Sequence, residues 1–229
     1  MLNSMFRMYI ATNRLSDATD VFKKMKLEKF DPGIQTYTSL IKANGEIGRL
    51  DLSMNLFEEM IQKNIQPNNI TFLVLLNACA KHNDVTNGVK VIQYMSKRDI
   101  VVDEKISTAM IAIYGKANMI NEAFNIFQKI KTPDRVTCIA MLEACIETGD
   151  AEKGHKVHRI IVEKSTGVID SKVYTSLIKM YGSQNQIESA IAVFREMIRM
   201  KCSPNHITCL VLLNACAKEK NIKIGDEVM

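Results

Sequence analysis

Tryptophan is absent from the 229 residues, there are only 4 Pro and 10 Gly, and no apolar run extends beyond a few residues. Each scarcity excludes something. So little Pro and Gly leaves no linker-like stretch at which to cut the chain, so one continuous body is expected. The short apolar runs exclude a membrane-spanning helix. Chemistry-bearing motifs are missing too: no phosphate-cradling Gly-rich loop, no nucleophile elbow, and no His-x-Glu followed by Cys-x-x-Cys as zinc-assisted base deamination requires. The chain is therefore expected to be no enzyme and to need no cofactor. The N-terminus, Met1 to Phe6, enters an amphipathic helix without an Arg-rich, acid-poor leader, so any address lies elsewhere or the chain is a fragment.

What is present is repetition. The stretch Ile70-Thr71-Phe72-Leu73-Val74-Leu75-Leu76-Asn77-Ala78-Cys79-Ala80-Lys81 returns at Ile207 to Lys218, changed only where Phe72 becomes Cys209. The same offset of 137 carries Tyr37 to Lys42 onto Tyr174 to Lys179, and Pro67-Asn68 onto Pro204-Asn205. Apolar residues recur at helical spacing throughout, and no strand-like alternation persists, so the class is all-α.

Small residues fix the register: Ala18, Ser53, Gly88, Ala123, Gly154, Ala190 and Gly225, at steps of 35, 35, 35, 31, 36 and 35. They are expected where a second helix begins to cross the first, because small side chains permit close approach. Gly48, Asn83, Asn118, Gly149 and Asn185 fall between the paired helices, where a tight turn needs the left-handed conformation. Pro32, Pro67, Pro133 and Pro204 sit next to last in their units, where they are expected to stop the second helix. The units run 1–33, 34–68, 69–103, 104–134, 135–170, 171–205 and a partial 206–229, which ends at Val228-Met229 inside an expected second helix. One helical hairpin cannot bury its whole apolar stripe, so neighbours are expected to stack into a single solenoid over 1–229.

Tetratricopeptide repeats have a period near this one but usually carry an early Trp. The residues instead resemble the pentatricopeptide repeat family, in Thr36-Tyr37-Thr38-Ser39-Leu40-Ile41, Gly48-Arg49-Leu50, Asn55 to Met60, and Ile65-Gln66-Pro67-Asn68. The units from 69 and 135 resemble the family's long variant (Leu76 to Cys79; Gly154-His155-Lys156-Val157-His158), and the 31-residue unit from 104 its short one. Such mixed arrays are similar to the subclass linked to organellar RNA editing. The fold implied is a right-handed superhelical α-solenoid of antiparallel helix-turn-helix repeats.

The resemblance also implies function: single-stranded RNA binding, one base per unit, read by the fifth and last residues and packed by the second. Carried over, the readers are Thr38 with Asn68 and Thr175 with Asn205, which favour adenine, and Thr108 with Asp134, which resembles the guanine pair. Asn3 with Gly33 is half a reader. Leu73 with Asp103 and Ile139 with Asp170 place an aliphatic residue at the fifth position, so these units are expected to space the strand. The preference from unit 34 onward is A-N-G-N-A. The base-sandwiching residues are Gln35, Ile70, Lys105, Val136, Lys172 and Ile207. Lys81, Lys116 and Lys218 stand where the family contacts the backbone phosphates, whereas Glu46 and Glu147 replace lysine in two units.

The net charge of +5 suits an acidic partner without requiring one. Of 6 Cys, Cys79, Cys145 and Cys216 share one repeat position, and the spacing of seven from Cys138 to Cys145 and from Cys209 to Cys216 sets side chains along one helix face, so the cysteines read as structural thiols rather than a metal site. His155 and His158 form an i, i+3 pair without a third ligand and read as packing or surface residues. The leading expectation is an organellar protein, mitochondrial or else chloroplastic, that binds RNA for a processing or editing enzyme acting in trans, with no membrane partner. The competing expectation is a protein or RNA scaffold, such as an accessory subunit of an organellar ribosome.

Overall fold

The computed structural model describes residues 2–164 and 169–218, the last four of these by backbone alone. Gly225, Val228 and Met229, and the side chains of Cys216 and Lys218, lie outside the described residues. Among those described there are thirteen α-helices and no strand. The chain divides into two compact units, Met1–Ile113 and Tyr114–Met229.

The first contains the hairpins α1 (Leu2–Ala11) with α2 (Leu15–Leu27), α3 (Ile34–Glu46) with α4 (Leu50–Gln62), and α5 (Asn69–Lys81) with α6 (Val85–Ser96). The second contains α8 (Ile120–Lys129), α9 (Arg135–Thr148) with α10 (Ala151–Lys164), α11 (Ser171–Ser183) with α12 (Ile187–Arg199), and α13 (His206–Lys218). The division falls within α7 (Glu104–Lys116). Helices α3, α5, α7, α9, α11 and α13 begin on the first residues of the repeat units read from sequence, at 34, 69, 104, 135, 171 and 206.

The turns inside the hairpins are left-handed as expected, with φ of +79° at Gly48, +67° at Gly149 and +57° at Asn83, Asn118 and Asn185. Asn tolerates this conformation and Gly adopts it freely. The Arg49 and Asp84 amides then donate back to Asn44 O and Cys79 O, closing a Schellman turn.

A second row of left-handed residues corrects the role given to proline. α2, α4 and α12 end five residues before Pro32, Pro67 and Pro204, and the reversal falls at Lys29, Asn64 and Lys201 with φ of +57° to +58°. The Phe30, Ile65 and Cys202 amides close these turns on Met25 O, Met60 O and Met197 O. The backbone turn stops the helix, and proline only stiffens the segment after it. The unit from 104 lacks that turn. Its second helix, α8, has 10 residues and passes through extended Ile130 directly to Pro133, which accounts for its length of 31.

The small-residue register faces two partners. Ser53 Oγ donates to Ile41 O of its own hairpin over 3.1 Å, while a Cβ on Gly88 would lie 2.7 Å from Ile113 Cδ1 of the next first helix. Close approach therefore holds both within a hairpin and between neighbours. Ala18, Ser53, Ala123 and Ala190 are fully buried. Tyr37 shows how consecutive repeats lock. Its ring packs edge-on against Phe22 at 5.2 Å, and its hydroxyl donates to Glu59 Oε1, which Lys26 of the preceding hairpin also holds at 3.1 Å.

Candidate nucleic-acid interface

The last residue of each unit is the N-cap of the next first helix. Asn68 Oδ1 accepts from the Thr71 amide over 3.0 Å, Asp103 Oδ1 from Ile106 over 2.9 Å, Asp134 Oδ1 from Thr137 over 2.8 Å, and Asn205 Oδ1 from Thr208 over 2.9 Å. Asp170 Oδ1 accepts from Lys172 and Val173. A free helix N-terminus leaves donors unsatisfied, so Asn or Asp at this place is worth about 1 kcal/mol per helix. Gly33 caps α3 without a side-chain bond. A local requirement for Asn or Asp thus coincides with the position that the family resemblance gives to base reading.

In the first unit, Thr38 and Asn68 meet across one cavity of about 550 Å³, which Gln35 and Ile70 also line, together with Asn3 and Gly33. Second, fifth and last positions therefore converge as the register demands. Arg7 and Lys42 add basic character to the same wall, and Arg7 donates to Gln35 Oε1 over 3.0 Å. In the second unit Thr175 and Asn205 are joined through Thr208, whose hydroxyl lies 2.7 Å from the one and 3.0 Å from the other. Thr108 donates to Glu104 O over 2.9 Å and belongs to the first unit, whereas Asp134 belongs to the second.

The second positions are exposed without exception: Gln35, Lys105 and Lys172, and the β-branched Ile70 at 62%, Val136 at 57% and Ile207 at 48%. Three exposed aliphatics at one register position of a helix's first turn do nothing for the core, and they offer flat apolar surface to a ligand. The expected spacer units carry aliphatic residues at the fifth position, buried to the same class as Thr38, Thr108 and Thr175. Leu73 and Ile139 are half-buried, and Asp170 is held by Arg135 Nη1 at 3.1 Å. Burial alone would raise the Asp170 carboxyl, yet the capping amides and Arg135 hold it below the usual carboxylate range. Leu210, the fifth residue of the last unit, is exposed at 56%. Lys81 Nζ donates to Glu46 O, the last carbonyl of α3, over 3.1 Å.

Cys79, Cys138 and Cys145 are buried, and burial pushes the Cys79 and Cys145 thiols up to about 12, so they stay protonated. His158 Nδ1 lies 2.8 Å from the Tyr181 hydroxyl and His155 Nδ1 3.3 Å from it, joining α10 to α11. Burial holds His158 below the usual imidazole range.

Among the described residues, helical hairpins with polar caps and exposed aliphatics in register define an α-helical repeat protein. A model of the PPR repeat family matches residues 169–218, and one described as the pentacotripeptide-repeat region of PRORP matches residues 2–140. The chain belongs to the pentatricopeptide repeat family. Among curated relatives, a chloroplastic pentatricopeptide repeat-containing protein of Arabidopsis thaliana is 24% identical over 98% of this chain and 42% of its own length. A mitochondrial one from the same plant is 30% identical over 79% of this chain and 26% of its own. The chain thus spans less than half the length of these relatives.

Of the solved structures, maize pentatricopeptide repeat protein PPR10 superposes with a TM-score of 0.68 at 20% identity, covering 97% of this chain and 32% of that one. The pentatricopeptide repeat domain of Arabidopsis thaliana protein-only RNase P 1, solved in complex with tRNA, superposes with a TM-score of 0.63 at 16% identity, covering 76% and 94%. At these identities the likeness is one of fold.

Proposed function

We propose that the chain binds single-stranded RNA along its row of first helices, reading adenine at the units from 34 and 171 and guanine at the unit from 104. The observation that carries this reading is the cavity shared by Gln35, Thr38, Asn68 and Ile70. A hydroxyl and an amide at its rim suit one base edge, and an exposed β-branched side chain suits a base face. Maize PPR10 has been solved with an 18-nucleotide RNA element, which supports the choice of ligand. The units from 69 and 135 pass the strand without reading it.

The chain's own residues bind and position RNA, and processing or editing is the work of an enzyme acting in trans. Relatives named as chloroplastic or mitochondrial support an organellar setting. Fluorescence anisotropy with A-N-G-N-A RNA against a strand carrying pyrimidines at the three specified positions tests the reading. Tighter binding of the purine strand is expected, and equal affinity overturns base selection.

A further inference from the structure

We propose that Thr71 and Thr208, each the third residue of the unit after a reader pair, are positioning residues that fix which protons the readers present. They thereby set the preference for adenine over guanine. The inference rests on the base-reading function above and extends it to residues outside the reader positions.

Both threonines are fully buried. Thr71 Oγ1 lies 3.1 Å from Asn68 Oδ1 and 2.8 Å from Thr38 Oγ1, and Thr208 Oγ1 lies 3.0 Å from Asn205 Oδ1 and 2.7 Å from Thr175 Oγ1. Proton counting settles the directions. The Thr71 amide only donates, so the Asn68 atom it meets is the oxygen, and the amide nitrogen with its two N–H groups is the atom left to meet a base. Asn68 Oδ1 carries no hydrogen, so the single Thr71 hydroxyl proton goes to it. In the Thr38–Thr71 contact the donor is then Thr38, whose own proton is drawn inward and whose oxygen faces the cavity as an acceptor.

The pair presents an acceptor beside a donor. With Thr38 opposite the exocyclic group, adenine matches at both atoms, offering N6–H to the hydroxyl oxygen and a ring nitrogen to the Asn68 amide. Guanine has a carbonyl and an N–H in those places and fails at both. A threonine free to rotate would donate to that carbonyl and relax the choice. In the second site Ser171 O, 2.6 Å away, is a further acceptor for the single Thr175 proton, so that proton points inward whichever of Ser171 O and Thr208 Oγ1 takes it.

The register supplies an independent observation. Units with threonine at the fifth position, Thr38, Thr108 and Thr175, are followed by a unit with threonine at the third, Thr71, Thr137 and Thr208. Units with aliphatic Leu73 and Ile139 at the fifth are followed by aliphatic Ile106 and Val173. From the unit at 34 onward these hydroxyls occur together or not at all, which a role in core packing alone does not require; Asn3 followed by Thr36 is the one departure.

The test is anisotropy on the full chain with Thr71→Val and Thr71→Ser, using A-N-G-N-A RNA and two further strands with guanine in place of either the first or the last adenine. Val173 natively holds the same position, so the Val variant is expected to fold, and the retained Ser hydroxyl is a second check. Wild type is expected to prefer adenine on the order of tenfold at each position. Thr71→Val is expected to lose most of that ratio at the first base and none at the last, with Thr71→Ser keeping both. A Val variant that keeps the wild-type ratio at the first base overturns the positioning role while leaving base reading intact. A wild type without preference at either base overturns both.

Discussion

The Tyr37 hydroxyl donates to Glu59 Oε1 over 2.9 Å, and the same oxygen lies 3.1 Å from Lys26 Nζ and 3.4 Å from Lys63 Nζ. Donors from α2, from α3 and from the residue that caps α4 thus converge on one carboxylate. Burial alone would raise its pKa, but the hydrogen bonds from Lys26 and Tyr37 hold it below the usual carboxylate range. A carboxyl depressed by folding adds stability that is complete above its unfolded pKa, about 4.3, and is lost as pH falls through the lower folded value. Thermal denaturation from pH 7 down to pH 3 should show that loss. Glu59→Gln should lower the melting temperature at pH 7 and flatten its decline below pH 5, since charge-assisted bonds of this kind contribute roughly 1.5–3 kcal/mol.

Asn68 caps α5, and substitution can separate that role from the base reading proposed for it. Asn68→Ala removes the cap of α5 and should cost about 1 kcal/mol in the free protein. Asn68→Asp keeps the capping oxygen, so stability should stay within about 0.5 kcal/mol of wild type. Its acceptor-only carboxylate should nevertheless move the preference of that unit from adenine toward guanine. Melting curves read the first effect and RNA titration the second. A destabilised Asp variant would show that the carboxylate does not replace the amide as a cap.

The unit boundaries were legible because they depend on local chemistry. A left-handed turn demands Gly or Asn, so Gly48, Asn83 and Gly149 mark hairpins in any context. The second turn was less visible, because Lys29, Asp99 and Lys201 occupy it as well as Asn64, and lysine advertises no turn. Nor did sequence alone reveal Thr71. It reads as a generic β-branched residue until its hydroxyl is placed between Thr38 and Asn68. The same holds for Lys81, whose register position points to phosphate, while its neighbour across the repeat boundary is a helix C-terminus.

Lys81 Nζ sits at the last carbonyl of α3, where a cation interacts favourably with the helix dipole by roughly 0.3–1 kcal/mol. An ammonium has three donors, so this bond leaves two of them for a phosphate. Lys81→Ala should lose both effects: a slightly lower melting temperature for the free protein, and a log-log salt slope for RNA binding reduced by about 0.7. Lys81→Gln retains a donor for the carbonyl and should lose only the slope. An unchanged slope in both variants would remove Lys81 from the phosphate-contacting set.

Gly115 sets two opposing effects against each other in a single substitution. In an α-helix interior, alanine is more favourable than glycine by about 1 kcal/mol, so propensity alone makes Gly115→Ala stabilising. The added Cβ, however, would lie 2.8 Å from Ala144 Cα and 2.6 Å from Ala144 Cβ. A long side chain could swing away, but a backbone carbon on a packed neighbouring helix cannot move without shifting α9 itself. Overpacking of this kind costs roughly 1–3 kcal/mol, which exceeds the propensity gain over most of its range. The substitution should therefore lower the melting temperature. In the first unit a Cβ added at Gly45 would likewise lie 2.7 Å from Ala78 Cβ, so close approach of successive first helices is a recurrent feature. Forcing α7 and α9 apart should also lengthen the step between bases, weakening binding of A-N-G-N-A RNA more than the stability loss alone predicts. A Gly115→Ala protein that melts higher and binds as wild type would refute the close backbone approach on which that spacing depends.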